Sequence, residues 1–351
     1  MKKKQDNPRP SSERTSCCMG LMLKGVISLV LLLAWIWGTI AIFFSSPGPD
    51  WLKVGLACLF ATLLPAIFLF SRSFIKSLTL CLLLFAGLMG WWQTLQPTND
   101  KEWAADVAQV AHGEIHGNQL TLHNVRNFRY TADKIIDENW QTEERWETRQ
   151  YNLDELQGLD IFLSYWASEH IAHTIMSWDF GQDRHLAISI ETRKDISQEY
   201  SAIKGFFKQF EVSYIAADEK DLIRLRTNLR KERVYAYHLL ATSEQARALL
   251  EDYLTEMNRL ASEPEFYHAL TRNCTTTIQL HRNAIAPDNP MPLDWRIIAS
   301  GHIDELLYEK GRLSQKLPFA ELRQQSRIDQ RMQAHGEEHF SRILRYDLPQ
   351  L

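Results

Sequence analysis

The stretch Glu169-His170-Ile171-Ala172-His173-Thr174-Ile175-Met176-Ser177-Trp178-Asp179-Phe180-Gly181-Gln182-Asp183-Arg184-His185-Leu186-Ala187-Ile188-Ser189-Ile190-Glu191-Thr192-Arg193 reads as two strands around a tight turn. Residues 171–180 alternate in polarity and stop at Gly181-Gln182-Asp183, and residues 185–192 return as the partner strand. Strand signals continue upstream. Residues 114–123 form two alternating runs about Gly117-Asn118, extending through Phe128 and Tyr130. Residues 146–153 and 159–166 read as further strands, as do the apolar, partly extended residues 206–216 and, beyond them, 234–239. Helical spacing appears at 101–111, at 242–260 behind a Thr242 or Ser243 cap, at 271–284 and at 303–308. Strands first and helices later predict an α+β domain.

Ahead of this domain the composition changes. Mean hydropathy over all 351 residues is only −0.29, but that average hides three apolar runs at 21–44, 51–70 and 74–92. Each approaches the roughly 20 residues that carry a helix across about 30 Å of hydrocarbon. Ser45-Ser46-Pro47-Gly48-Pro49-Asp50 and Ser71-Arg72-Ser73 separate them. The Lys- and Arg-rich N-terminal tail should stay cytoplasmic, as should the loop with Arg72 and Lys76. Three crossings then place the remainder outside the cytoplasm, with Trp91 and Trp92 at the outer interface. The expected organisation is a basic tail (1–20), three transmembrane helices (21–97), an extracytoplasmic domain (98–320) and a peripheral polar tail (321–351).

Nine basic and three acidic residues precede position 98. Subtracting these from the totals of 39 and 43 leaves 30 basic and 40 acidic residues, a formal −10 for the domain. Nucleic acid demands a basic face, so it is excluded as a partner. The charged run Ala217-Asp218-Glu219-Lys220-Asp221 with Arg224 and Arg226 reads as a solvated, ion-paired turn rather than an anion grip. No Walker loop, GxSxG or HExxH occurs, and neither a metal set nor a cofactor is expected.

Four of the five cysteines (Cys17, Cys18, Cys58, Cys81) lie at or within the membrane segment, which leaves Cys274 alone in the domain. Asn273-Cys274-Thr275 opens the helix at 271–284, where the dipole and free N–H groups lower a thiol pKa and can hold an oxyanion. A thiol nucleophile and a small buried Cys weigh about equally on that spacing. His281 lies seven residues further on, roughly 10 Å along the helix axis, too far for direct contact. His268 fits a surface role. His173, fixed on a strand among apolar neighbours, is the better general base. Glu191 also sits among apolar residues and needs a partner. A two-residue loop at 181–184 would put it on the face opposite His173; a three-residue loop would put Glu191 and Arg193 on the same face as His173. Asn273, Thr275 and Arg193 are candidate supporting residues.

These residues carry a family resemblance. The segments Ala187-Ile188-Ser189-Ile190-Glu191-Thr192-Arg193-Lys194, Gly205-Phe206-Phe207-Lys208-Gln209-Phe210-Glu211, Leu270-Thr271-Arg272-Asn273-Cys274-Thr275-Thr276 and Gly301-His302-Ile303-Asp304-Glu305-Leu306 resemble the Lnb N-terminal periplasmic domain family. The resemblance covers roughly 110–310. The family is named for a bacterial lipoprotein N-acyltransferase. The resemblance implies a permuted papain- or NlpC-like fold and acyl transfer through a Cys thioester, with inner-membrane lipids and lipoproteins or other envelope peptides as partners. An amidase or peptidase using the same residues, and a non-catalytic envelope binding domain, are the rival expectations.

Overall fold

The computed structural model describes residues 11–131 and 141–349, and the chain divides into two compact units, Met1–Gln96 and Pro97–Leu351. The first ten residues of the expected basic tail lie outside the described residues.

The first unit holds α1 (Ser11–Ser45), α2 (Asp50–Phe70) and α3 (Phe74–Thr94). Residues 21–45 of α1 and the whole of α2 and α3 are long and apolar enough to cross a membrane. In hydrocarbon a helix satisfies its own backbone hydrogen bonds, which leaves side-chain packing to join the helices. Trp35 stacks on Phe60 at 4.2 Å between ring centroids and donates Nε1–H to the Phe60 carbonyl at 2.8 Å. Helix α1 begins ten residues before the apolar run, because residues 11–20 contain no Pro to stop it.

The second unit is an α+β domain. Its strands are β1 (His112–His116), β2 (Gln119–Arg126), β3 (Arg129–Thr131), β4 (Gln141–Glu143), β5 (Trp146–Asn152), β6 (Gly158–Ser168), β7 (Ile171–Asp179), β8 (His185–Arg193), β9 (Glu211–Ala217) and β10 (Arg233–His238). The main sheet runs β1-β2-β9-β8-β7-β6-β10, with β5 also on β2, and β3 pairs with β4 separately. The ladders are antiparallel apart from a single parallel bridge, Arg126 to Ala217. The helices are α4 (Glu219–Arg224), α5 (Ser243–Ser262), α6 (Cys274–Ile285), α7 (Trp295–Ile298), α8 (Ile303–Glu309), α9 (Phe319–Gln325), α10 (Asp329–Met332) and α11 (Phe340–Arg345).

Both faces of the sheet are covered, which is why β8 and β9 are almost continuously apolar. On one face Met176, Trp178, Ile188 and Tyr214 pack against Leu249, Leu250, Tyr253 and Met257 of α5 and the flank of α6. Helix α5 is fixed at its start by a capping box, in which Thr242 accepts from Gln245 N and Gln245 reaches back to the Thr242 N–H. On the other face Phe162, Ile175, Ala187, Ile215 and Val234 pack against Leu222 and Ile223 of α4, and against Ile328, Met332, Phe340 and Leu344.

That second layer corrects the expectation of a peripheral tail. Gln324, Gln330, Glu338 and Arg342 are exposed, while Ile328, Met332, Phe340 and Leu344 cap the sheet and Ser326 and Asp329 are buried with them. Arg345 reaches inward to Asp160 (2.9 Å) and Glu219 (2.8 Å). The solvated reading of 217–226 is corrected as well. Its ion pairs exist, but Glu219, Asp221 and Arg226 are buried, and Asp221 pairs with buried Arg126 at 2.8 Å. The helix expected over 101–111 is reduced to one 3₁₀ turn at Ala105–Val107. There Trp103 bridges Asp195, and Arg193 takes the carbonyls of Val107 and Ala108 that a helix would have needed.

Candidate active site

The turn after β7 decides the geometry of the site. Phe180 and Arg184 close a three-residue loop, Gly181-Gln182-Asp183, whose φ angles are 70°, 52° and 61°. This count pairs Ile175 with Ser189, a register that continues to His173 opposite Glu191. His173 and Glu191 therefore share a face. His173 Nε2 lies 3.0 Å from Glu191 Oε1 and 2.6 Å from Ser189 Oγ, and Ser189 donates to the same carboxylate oxygen at 2.6 Å.

Cys274 arrives from the opposite side, as the first residue of α6. Asn273 caps the helix: its Oδ1 accepts from Thr276 N (2.8 Å), while Thr276 Oγ1 accepts from Asn273 N (3.0 Å). The thiol meets the sheet where the β7–β8 ladder ends, at Ile175–Ser189, and the Thr174 N–H is directed at its sulfur. His173 is hydrogen-bonded to the same sulfur. Since Nε2 is taken by Ser189 and Glu191, Nδ1 is the ring nitrogen left for it. Thr275 Oγ1 stands 3.8 Å from Sγ and 2.9 Å from Thr174 Oγ1. The Cys274 side chain is only half-buried.

The electrostatics follow from this array. Burial pushes the Cys274 thiol up, but His173, the Thr174 N–H and Thr275 outweigh it and leave the thiol lowered to about 7. Burial pushes His173 down; the Glu191 charge overcomes both this and repulsion from Arg226, raising the imidazole to about 9. Against the cost of its own burial, Glu191 is held well below the usual carboxylate range by His173, Arg226 and Ser189. Between about pH 7 and pH 9 these directions favour a thiolate–imidazolium pair, which titrates as a unit.

The expected trio is thus brought together, and the supporting residues are not all where they were expected. The Asn273 amide is engaged in the cap through Oδ1 and, through one Nδ2 N–H, with the Ala269 carbonyl at 2.8 Å, so it positions the start of the helix. Arg193 lies on the Glu191 face but is buried beneath residues 99–108. It donates to Val107 O, Ala108 O and Asn99 Oδ1, and its guanidinium sits 4.1 Å from the Trp103 ring centroid. Its role is to tie residues 97–108 to the sheet. His281 is buried between Asp252 and Tyr214, 2.6 Å from each, as a packed core histidine.

Arg226 was missed. It lies on a π-helical turn, Leu225–Leu229, that continues α4, and it donates to Glu191 Oε1 at 3.2 Å and to Glu232 Oε2 at 3.1 Å. An arginine set beside Leu225, in a segment that also carries Ile223 and Leu229, was the available signal, since a buried cation requires a buried anion. Tyr200 and Tyr267 are also part of the surroundings. Burial pushes both phenols up, and the charges at Cys274 and Glu191 add to it. Among the described residues no group of three or more His, Cys, Asp or Glu side chains is placed to hold a metal ion.

Fold and site together define a membrane protein with an α+β domain in which a thiol, an imidazole and a carboxylate converge. Residues 142–301 match the family model described as the Lnb N-terminal periplasmic domain, and the family resemblance read from the motifs holds. The matched segment contains His173, Glu191 and Cys274. With the three apolar helices, it marks a membrane-associated protein whose folded domain is periplasmic. No curated protein matches the chain, and no solved structure does.

Proposed function

We propose that this protein is an inner-membrane thiol acyltransferase that forms a thioester on Cys274. The observation that carries the reading is the convergence of Cys274, His173 and Glu191, with the thiol lowered to about 7 and the imidazole raised to about 9. In the first half-reaction the Cys274 thiolate attacks an ester carbonyl. The C–S bond forms, the C–O bond breaks, and the His173 imidazolium gives its proton to the departing alkoxide. In the second, an amine attacks the thioester. Its proton passes to His173, the C–N bond forms, and the thiolate leaves.

Glu191 orients His173 and sustains its charge, while Arg226 and Ser189 are positioning residues that hold Glu191. The Thr174 N–H and the N–H groups of the first turn of α6 are the oxyanion donors in this reading. A lipid acyl donor is supported by apolar side chains near the thiol. Trp166 (46% exposed) packs edge-on to Tyr200, and Leu270 (43% exposed) lies four residues before Cys274. Lipoprotein N-termini or other envelope peptides are the proposed acceptors. The order of His-bearing strands before the Cys helix, with a carboxylate behind the imidazole, supports a permuted papain-like architecture.

Mass spectrometry after incubating the full chain with phospholipid tests the first step. An acyl adduct on Cys274, absent in Cys274→Ala, is the expected result; no adduct, together with full function of Cys274→Ala in cells, refutes it. Unchanged lipoprotein N-acylation in a deletion strain would leave thiol-dependent hydrolysis as the reading.

A further inference from the structure

The domain contains a second binding feature, on the other side of the two threonines that flank the thiol. An apolar cavity of about 300 Å³ runs along one face of α6, from Thr275 in its first turn past Ile278 to Ile285 and Ala286 at its end. At about 1.5 Å per residue that face is roughly 16 Å long. Met176 of β7, Leu249 of α5 and Ile303 and Leu307 of α8 form the opposing walls. The inner end is closed by the hydroxyl pair Thr174–Thr275. The size falls at the lower end of ligand pockets, roughly 300–1,000 Å³, and the length suits one narrow chain.

Two cations, Arg282 and Arg312, also line this cavity. Neither has an acidic partner among the described residues. Arg282 donates only to Asn283 Oδ1 and the Asn289 carbonyl, both neutral. Burial and the charge of Arg312 both push the Arg282 guanidinium down, so the two repel each other. One carboxylate, Glu244, lines the same cavity, but it is engaged by Thr242 and its own backbone at the start of α5. By contrast Arg126, Arg226, Arg272, Arg296 and Arg345 each reach at least one carboxylate. An apolar slot with two uncompensated guanidiniums is complementary to a hydrocarbon chain bearing an anion. Their planar donors fit a carboxylate in particular.

We propose that the cavity along α6 binds a long-chain carboxylate, with the head on Arg282 and Arg312 and the chain laid toward Thr275. The site is separate from Cys274 and does not depend on the reaction there.

Calorimetric titration of the full chain in a non-ionic detergent with laurate, myristate, dodecanol and dodecyl phosphate tests it. Laurate should bind, dodecanol at least tenfold more weakly, and affinity should rise with chain length by up to roughly fourfold per methylene. Arg282→Gln/Arg312→Gln should lose at least tenfold for laurate and nothing for dodecanol, and Ala248→Trp, which fills the slot from α5, should abolish both. Equal binding of dodecanol and laurate by the wild type overturns the proposal, as does undiminished laurate binding by the Gln pair. Dodecyl phosphate binding more than tenfold tighter than laurate would overturn the carboxylate assignment. The Gln variant lies at the rim and decides the matter even where Ala248→Trp fails to fold.

Discussion

Replacing Glu191 by Gln is the most direct perturbation of the thiol cluster, since it removes one charge and little volume. In the wild-type protein His173 is raised to about 9 because the Glu191 charge overcomes burial and the repulsion of Arg226. Without that charge the two downward influences are opposed only by the contact with Cys274, and the imidazole should be largely neutral at pH 7. Cys274 then loses its cationic neighbour and moves from about 7 back toward its ordinary value of 9. At pH 7 the thiolate fraction falls from about one half to about one hundredth, a roughly fiftyfold loss equivalent to about 2.3 kcal/mol. The assay is the rate of iodoacetamide alkylation of the full chain between pH 5 and 10, read on the Cys274 peptide so that the four membrane-segment cysteines do not contribute. The wild-type profile should rise near pH 7, and that of Glu191→Gln nearer pH 9. Profiles that superimpose within threefold, with both proteins folded, would refute the assignment of Glu191 as the source of the His173 charge.

Arg226→Gln should act in the opposite sense on the imidazole, since its charge pushes His173 down; the His173 titration midpoint, followed by NMR of the ring protons, should move above 9. Arg345→Met leaves Glu219 buried with an uncompensated charge and should cost about 3–5 kcal/mol in denaturant unfolding. Glu219 itself is held at about 2, against the cost of its burial, by Arg345, His185 and Ser177. Its contribution to stability is therefore full above the ordinary carboxylate value and is lost as pH falls toward 2, and Glu219→Gln should flatten acid unfolding over that range. Gly301→Ala would bring a Cβ to 2.3 Å from the Glu169 carbonyl at the β6–β7 hairpin, and a loss of about 1–3 kcal/mol in thermal unfolding is expected.

Much of the domain was legible because its strands are short, apolar and punctuated. The turns at Gly117-Asn118 and Gly181-Gln182-Asp183 appear where turn residues interrupt alternation, and Thr242 caps α5 as its residue type suggests. Cys274 at a helix start and His173 on a strand were readable for the same local reason. The face on which Glu191 lies was not, because strand register has a period of two and one loop residue reverses it. Gln182 and Asp183 both adopt left-handed φ, a backbone choice that composition does not dictate. The burial of residues 328–344 was hidden by charge. Arg331, Arg342 and Arg345 dilute the pattern of Ile328, Met332, Phe340 and Leu344, which matters only once a sheet face stands opposite. Arg226 escaped for a related reason: its partners Glu191 and Glu232 come from separate elements, and no local pattern records that pairing.

The packing of residues 328–344 over the sheet bears on how the domain is made. A chain threaded outward behind three membrane helices delivers its residues in order, so the strands carrying Phe162, Ile175 and Ala187 emerge well before the segment that shields them. Until residues 328–344 arrive, that side of a largely formed sheet is covered only in part, by Leu222 and Ile223 of α4. Maturation of the thiol cluster would then be a late event in biogenesis, completed only when the final turn of helix closes over the opposite side of the sheet. A ribosome stall or a proteolytic cut in the last thirty residues would leave a protein with Cys274, His173 and Glu191 all present but with its folding unfinished.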